Sequence, residues 1–119
     1  MSELDELKLK IRKFVDDRDW DQYNTPKNLS MALIAECGEV VEHFQWLTEE
    51  QSTQIPAENL EEIGHELADV FVYLLRLSDK LGIDLVEAVN RKMILNEEKY
   101  PADEVRGSAK KYTEYKNRS

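Results

Sequence analysis

The chain has 119 residues, of which 41 % are hydrophobic and 34 % charged, and 25 acidic against 16 basic side chains leave a net charge of −9. That is room for one domain with one core, and it is too apolar for a disordered chain. A basic footprint for nucleic acid is lacking, and no apolar run approaches the roughly 18–20 residues that a membrane span needs. The acid excess by itself speaks to solubility. Cys37 is the single cysteine, which leaves no internal disulfide and no cysteine-based zinc site. Met1 to Asp5 lack the basic and apolar regions of a signal peptide, so a cytoplasmic setting is expected.

The expected elements are four helices, roughly 3–17, 26–47, 57–81 and 84–99, within a single domain over 1–119. Ser2 with Asp5 three residues on forms an N-cap signal, followed by Leu4, Leu7, Ile11, Phe14 and Val15 at helical spacing. A polar stretch from Asp16 to Asn24 breaks that pattern. Thr25-Pro26 caps the second helix with proline at its first position, and Leu29, Leu33, Val40, Phe44 and Leu47 form its stripe. Thr48 to Ile55 reads as a loop. Pro56 opens the third helix, with Ile63, Leu67, Val70, Leu74 and Leu81 recurring, and Gly82 suits its C-terminal turn. Asp84 and Glu87 cap a fourth helix carrying Leu85, Val86, Val89 and Met93, which Pro101 ends. Residues 102–119 read as a polar tail, partly mobile or draped on a partner. Strand periodicity is never sustained, so the fold class is all-α, a four-helix bundle.

The informative residues are acids beside the apolar stripes. Glu36 falls between Leu33 and Val40, and Glu39 points to the same side one turn on. On the third helix Glu62, Glu66, Asp69 and Tyr73 run as a column, and beyond Asp69 the helix is apolar nearly all round. A carboxylate bordering a core costs several kcal/mol unless it is paired or coordinates a metal. A lone Glu-x-x-Glu is weak, but two acid pairs on two long helices are not, and neither helix offers a base on the same stripe. Hard oxygen donors indicate Mg²⁺, with Mn²⁺ as a substitute, over zinc. A di-iron bundle needs Glu-x-x-His on two helices. Only Glu62-x-x-His65 fits, since His43 lies four residues after Glu39.

These residues, in order, resemble the MazG-like all-α nucleotide pyrophosphohydrolases, which carry Glu-x-x-Glu on one helix and Glu-x-x-Asp on the next. Here those are Glu36-Cys37-Gly38-Glu39 and Glu66-Leu67-Ala68-Asp69. The surroundings are similar to the dCTP pyrophosphatase branch: Arg18-Asp19-Trp20, Pro26-Lys27-Asn28-Leu29, Phe44-Gln45-Trp46, Lys92-Met93, Asn96, Tyr100-Pro101, Arg106-Gly107-Ser108 and Lys111-Tyr112-Thr113-Glu114. The resemblance spans roughly residues 4–115. It implies cleavage between the α- and β-phosphates of a nucleoside triphosphate, with Glu36, Glu39, Glu66 and Asp69 as the catalytic metal ligands. The expected substrates are dCTP or related and modified pyrimidine nucleotides, removed in nucleotide-pool house-cleaning.

The same resemblance offers Trp20 and Trp46 as base-contacting aromatics. Tyr73 continues the acidic column toward sugar or phosphate, and Lys92 and Asn96, one turn apart, can reach a phosphate or sugar group together. Lys99, Lys110 and Lys111 are weaker phosphate candidates. Ile11 stands where dCTP-specific relatives carry a base-contacting histidine, Asn24 replaces a second histidine, and Ala35 stands where many members have another glutamate. A homodimer or homotetramer with sites near subunit boundaries is implied. The competing reading is a non-catalytic helical module that senses nucleotide or a partner protein.

Overall fold

The computed structural model describes residues 1–108, and every regular element among them is helical. These are α1 (Glu3–Asp17), a short 3₁₀ turn (Asp21–Tyr23), α2 (Pro26–Glu42), α3 (Glu49–Ser52), α4 (Ala57–Leu81), α5 (Leu85–Lys99) and α6 (Ala102–Val105). Lys110, Lys111 and the matching stretch 111–114 lie outside the described residues. The chain divides into two compact units, one covering Met1–Ile83 and one beginning at Asp84.

In the first unit α4 is the spine, with α2 and α1 both packed against it. Ile11 and Val15 of α1, Leu29 of α2, and Ile63 and Leu75 of α4 are its buried apolar side chains. Each such side chain contributes about 1.5–3 kcal/mol relative to exposure. The predicted stripes are thus only partly covered: Leu33, Val40, Phe44, Val70 and Leu74 are half-buried, and Leu67 and Leu81 are 53 % and 52 % exposed.

Local chemistry sets the helix ends. Ser2 and Asp5 form a reciprocal capping box for α1, and the Thr25 hydroxyl accepts from the Asn28 N–H at 3.2 Å above the first-turn Pro26. Asp84 accepts from the Glu87 N–H at 3.0 Å. Gly82 (φ +68°) lets the Ile83 N–H reach the Ser78 carbonyl at 2.9 Å, closing α4 in a Schellman turn. α1 closes in the same way on a residue that is not glycine. Asp19 takes φ +53°, its N–H meets the Asp16 carbonyl, and the Trp20 N–H meets the Val15 carbonyl, both at 3.0 Å. Aspartate tolerates this left-handed conformation better than most residues. The turn folds Trp20 back onto Phe14, edge to face with ring centroids 5.9 Å apart.

Two boundaries differ from the periodicity. Regular α2 stops at Glu42 rather than near residue 47, because the next turn tightens: the His43 and Phe44 N–H groups reach the carbonyls of Val40 and Val41, three residues back. Residues 48–55 are also not all loop. Thr48 and Gln51 build a second reciprocal capping box, which starts α3 and so prevents α2 from running on.

Candidate active site

Glu36 and Glu39 stand on α2, and Glu66 faces them from α4. One carboxylate oxygen from each lies within 4.8 Å of the other two. Three like charges this close repel, and the Glu36 Oε2 atom is buried with no hydrogen-bond partner. Burial raises the Glu36 carboxyl above the usual carboxylate range, and the charges of Glu39, Asp69 and Glu66 push the same way. The Glu66 carboxyl is raised first by its hydrogen bond with Glu39 and next by burial. His43, whose Nε2 lies 3.9 Å from Glu66 Oε1, acts in the opposite sense. An orphaned oxygen among converging carboxylates fits a hard divalent cation such as Mg²⁺ or Mn²⁺.

Asp69 stands outside that triangle, yet its charge raises both Glu36 and Glu66. It also lines a cavity of about 450 Å³ between α1, the residues flanking the 3₁₀ turn and α4. Leu7, Ile11, Phe14, Val15 and Val72 supply the apolar walls of this cavity, with Trp20 and Tyr73 as its larger aromatics. Lys10, Asn24 and Arg76 bring the remaining polar groups. Such a volume lies in the range of small-molecule sites. One residue, Asp69, therefore both lines the cavity and acts by its charge on the acidic cluster.

Of the residues expected at the site, Trp20, Asp69 and Tyr73 meet in this cavity, and Ile11 and Asn24, the two histidine replacements, both line it. Trp46 does not line it; it stands in the turn after α2 at 87 % exposure. Lys92 and Asn96 lie on α5 in the second unit, where the Asn96 amide contacts the Met93 sulfur at 3.9 Å. The expectation that α4 lacks a base on the acidic stripe needs correcting. Arg76 follows Glu66, Asp69 and Tyr73 at the spacing i, i+3, i+7, i+10, and it lines the same cavity. It does not neutralise the cluster, because its donors are taken by Asn24, Asp21 and Asp79. Its position could have been read from that spacing, whereas those of Lys10 and Phe14 follow only from how α1 lies on α4.

Residues 32–115 match the model of the MazG-like family. The chain belongs to that family. Among curated proteins, this MazG-like chain is 39 % identical over 113 residues to dCTP pyrophosphatase 1 of Mus musculus and 40 % identical over 114 residues to that of Homo sapiens. Both matches cover 93 % of this chain and 66 % of the relative, so the chain spans just under two thirds of their length. Among solved structures, a pyrophosphatase from Archaeoglobus fulgidus superposes with a TM-score of 0.81 at 40 % identity, covering 85 % of this chain and 94 % of the other.

Proposed function

We propose that this MazG-like protein is a nucleoside triphosphate pyrophosphohydrolase. Water attack between the α- and β-phosphorus would release a nucleoside monophosphate and pyrophosphate. The observation that carries the reading is Asp69, which lines a cavity together with Trp20 and Tyr73 and whose charge acts on the carboxylates of Glu36 and Glu66. The names of the relatives, dCTP pyrophosphatase 1 and a pyrophosphatase, agree with it. A nucleotide needs both halves: negative groups that gather a cation for the phosphates, and an apolar slot for the base.

In this proposal Glu36, Glu39, Glu66 and Asp69 hold Mg²⁺, with Mn²⁺ as a substitute. The bound ion supplies neutralisation of the triphosphate and a more acidic water. Glu36 Oε2, buried and without a hydrogen-bond partner, is an oxygen that such an ion would satisfy. Trp20 stacks on the base, and Tyr73, one turn after Asp69 on the cavity wall, contacts sugar or phosphate through its hydroxyl. Lys92 and Asn96 are assigned to phosphate or sugar, and Trp46 to a base-covering role in an assembled dimer or tetramer. That assembly is supported by apolar side chains left exposed on α2 and α4, among them Met31 (58 %), Ile34 (68 %) and Leu60 (53 %). The substrate class is pyrimidine deoxynucleoside triphosphates, dCTP and base-modified relatives included, in nucleotide-pool house-cleaning in the cytoplasm.

No helix among the described residues is long and apolar enough to cross a membrane. A non-catalytic sensor is the poorer reading, since replacing near-core, unneutralised acids by apolar residues would stabilise a mere scaffold. The test is pyrophosphate release from a panel of canonical and modified triphosphates with Mg²⁺ and with chelator. Release that needs the metal is expected; no release from any triphosphate would overturn the reading.

A further inference from the structure

The hydrogen bonds around Asn24 decide what the cavity can offer a base. Arg76 is only 6 % exposed, and its Nε donates to the Asn24 Oδ1 at 3.0 Å. Its other nitrogens donate to Asp21 and, at 3.5 Å, to Asp79. On the other side, the Asn24 Nδ2 donates to the Trp20 carbonyl at 2.9 Å. Arginine has donors and no acceptor, so the amide oxygen must face Arg76; a carbonyl only accepts, so the amide nitrogen must face Trp20. Both neighbours demand the same orientation. The amide cannot flip without losing two hydrogen bonds at once, one of them to a charged group.

Asn24 Nδ2 carries two hydrogens, and the Trp20 carbonyl takes one. With Arg76 committed to Asn24, Asp21 and Asp79, the other polar side chains on the cavity wall are mostly donors: the second Asn24 N–H, Lys10 and the Trp20 indole. With Asp69 given to the cation and the Asn24 Oδ1 engaged by Arg76, the Tyr73 hydroxyl is the one uncommitted side-chain acceptor among the described lining residues. At position 4 of a pyrimidine, a carbonyl would find donors there, whereas an amino group would find only Tyr73 among the described lining residues.

We propose that Arg76 is a positioning residue that locks Asn24 as a hydrogen-bond donor, so that the cavity selects pyrimidines with a 4-keto edge, uracil and thymine, over cytosine. The inference rests on the reading of this cavity as the base site of a triphosphate pyrophosphohydrolase. Arg76 acts through Asn24 and Trp20 and touches no reacting atom. Its effect therefore falls on base discrimination rather than on turnover.

The test compares dUTP, dTTP and dCTP in the whole 119-residue chain with Mg²⁺, for wild type, Arg76→Lys and Asn24→Asp. Lysine keeps a positive charge beside Asp21 and Asp79 but lacks the Nε–H that orients the amide; aspartate still accepts from Arg76 but has no N–H to offer. Wild type should favour dUTP and dTTP over dCTP in kcat/KM by about tenfold, the scale of one net hydrogen bond. Either variant should bring that ratio close to one, the change appearing as a higher KM for dUTP and dTTP. A purely structural role would lower all three substrates in parallel, and that result overturns the inference, as does a wild-type preference for dCTP. If Arg76→Lys fails to fold, Asn24→Asp carries the test alone. Should no triphosphate be hydrolysed, the catalytic reading fails by itself. Calorimetric titration with dUTP and dCTP then still reads the affinity ratio, and equal affinities overturn the inference.

Discussion

Helix α4 carries two groups of carboxylates treated in opposite ways. In its middle, Glu66 meets Glu36 and Glu39 with one oxygen of Glu36 orphaned, and burial and like charge hold the Glu36 and Glu66 carboxyls up. Asp79, about 20 Å further along at 1.5 Å per residue, sits between two arginines. The Arg12 Nε donates to it at 2.6 Å, and that hydrogen bond is the main reason its carboxyl lies below the usual range. Asp21 is likewise lowered, first by Lys80, whose Nζ lies 3.0 Å away, with Arg76 adding to it. An acid with its counter-charge built in tethers segments of chain. Acids gathered without one are what the proposed reading assigns to a divalent cation. The two groups differ in partners rather than in residue type.

The largest effect should come from the unpaired group. Glu39→Gln and Asp69→Asn each keep side-chain shape and remove charge, so pyrophosphate release should fall at least ~10²-fold, the scale for losing one electrostatic group at a reacting centre, with circular dichroism unchanged. Variants that fold and retain near wild-type turnover would take these residues out of the metal site. The same cluster should make folding depend on metal. Mg²⁺ at about a hundred times its dissociation constant should stabilise by roughly 2.7 kcal/mol. The melting temperature of wild type should rise accordingly and that of Glu39→Gln much less; a melting curve indifferent to Mg²⁺ would erase the contrast between the two groups.

The cavity between the two groups supplies the next effect. Trp20→Ala should lower kcat/KM for all bases together by about 1–3 kcal/mol, the usual worth of base–aromatic stacking. If Trp46→Ala has that effect in a verified monomer while Trp20→Ala has none, the base does not lie in this cavity. The smallest effect belongs to the paired group and reads out in pH. Because the Asp79 carboxyl is lowered in the folded state, the unfolded chain binds the proton more readily. Its contribution to stability is therefore present above the ordinary carboxylate range and is lost as pH falls through the folded value. Between about pH 2 and pH 6, the melting temperature of wild type should rise more steeply than that of Asp79→Asn, and the curves should approach each other at the acid end. Parallel curves would show that Asp79 gains nothing from its arginines.

Much of this was legible in the order of residues. The caps at Ser2, Thr25 and Asp84 and the left-handed Gly82 are short-range chemistry, in which a side chain or a missing Cβ acts within a few residues. The acids were legible because a helix repeats every 3.6 residues, so Glu36 and Glu39 must share a side wherever the helix goes. The left-handed Asp19 was harder to foresee, since aspartate is tolerated there without being required. The end of α2 at Glu42 was hidden because apolar spacing continues through Phe44 and Leu47 after the regular hydrogen bonds have tightened.

By itself, then, the sequence determined the helices, their caps and the pairing of acids within each helix, because those follow from contacts between residues three or four apart. Tertiary structure decided what each charge meets. Arg76 bonds Asn24 and Asp21, 52 and 55 residues away, and Arg12 bonds Asp79 across 67 residues. It also decided that Trp20 lines the cavity while Trp46 stands in the open. Helical periodicity says which residues share a face but not which face another helix will cover. Only the packing of α1 and α2 on α4 leaves one set of carboxylates paired with arginines and another gathered without a salt bridge to lysine or arginine among the described residues.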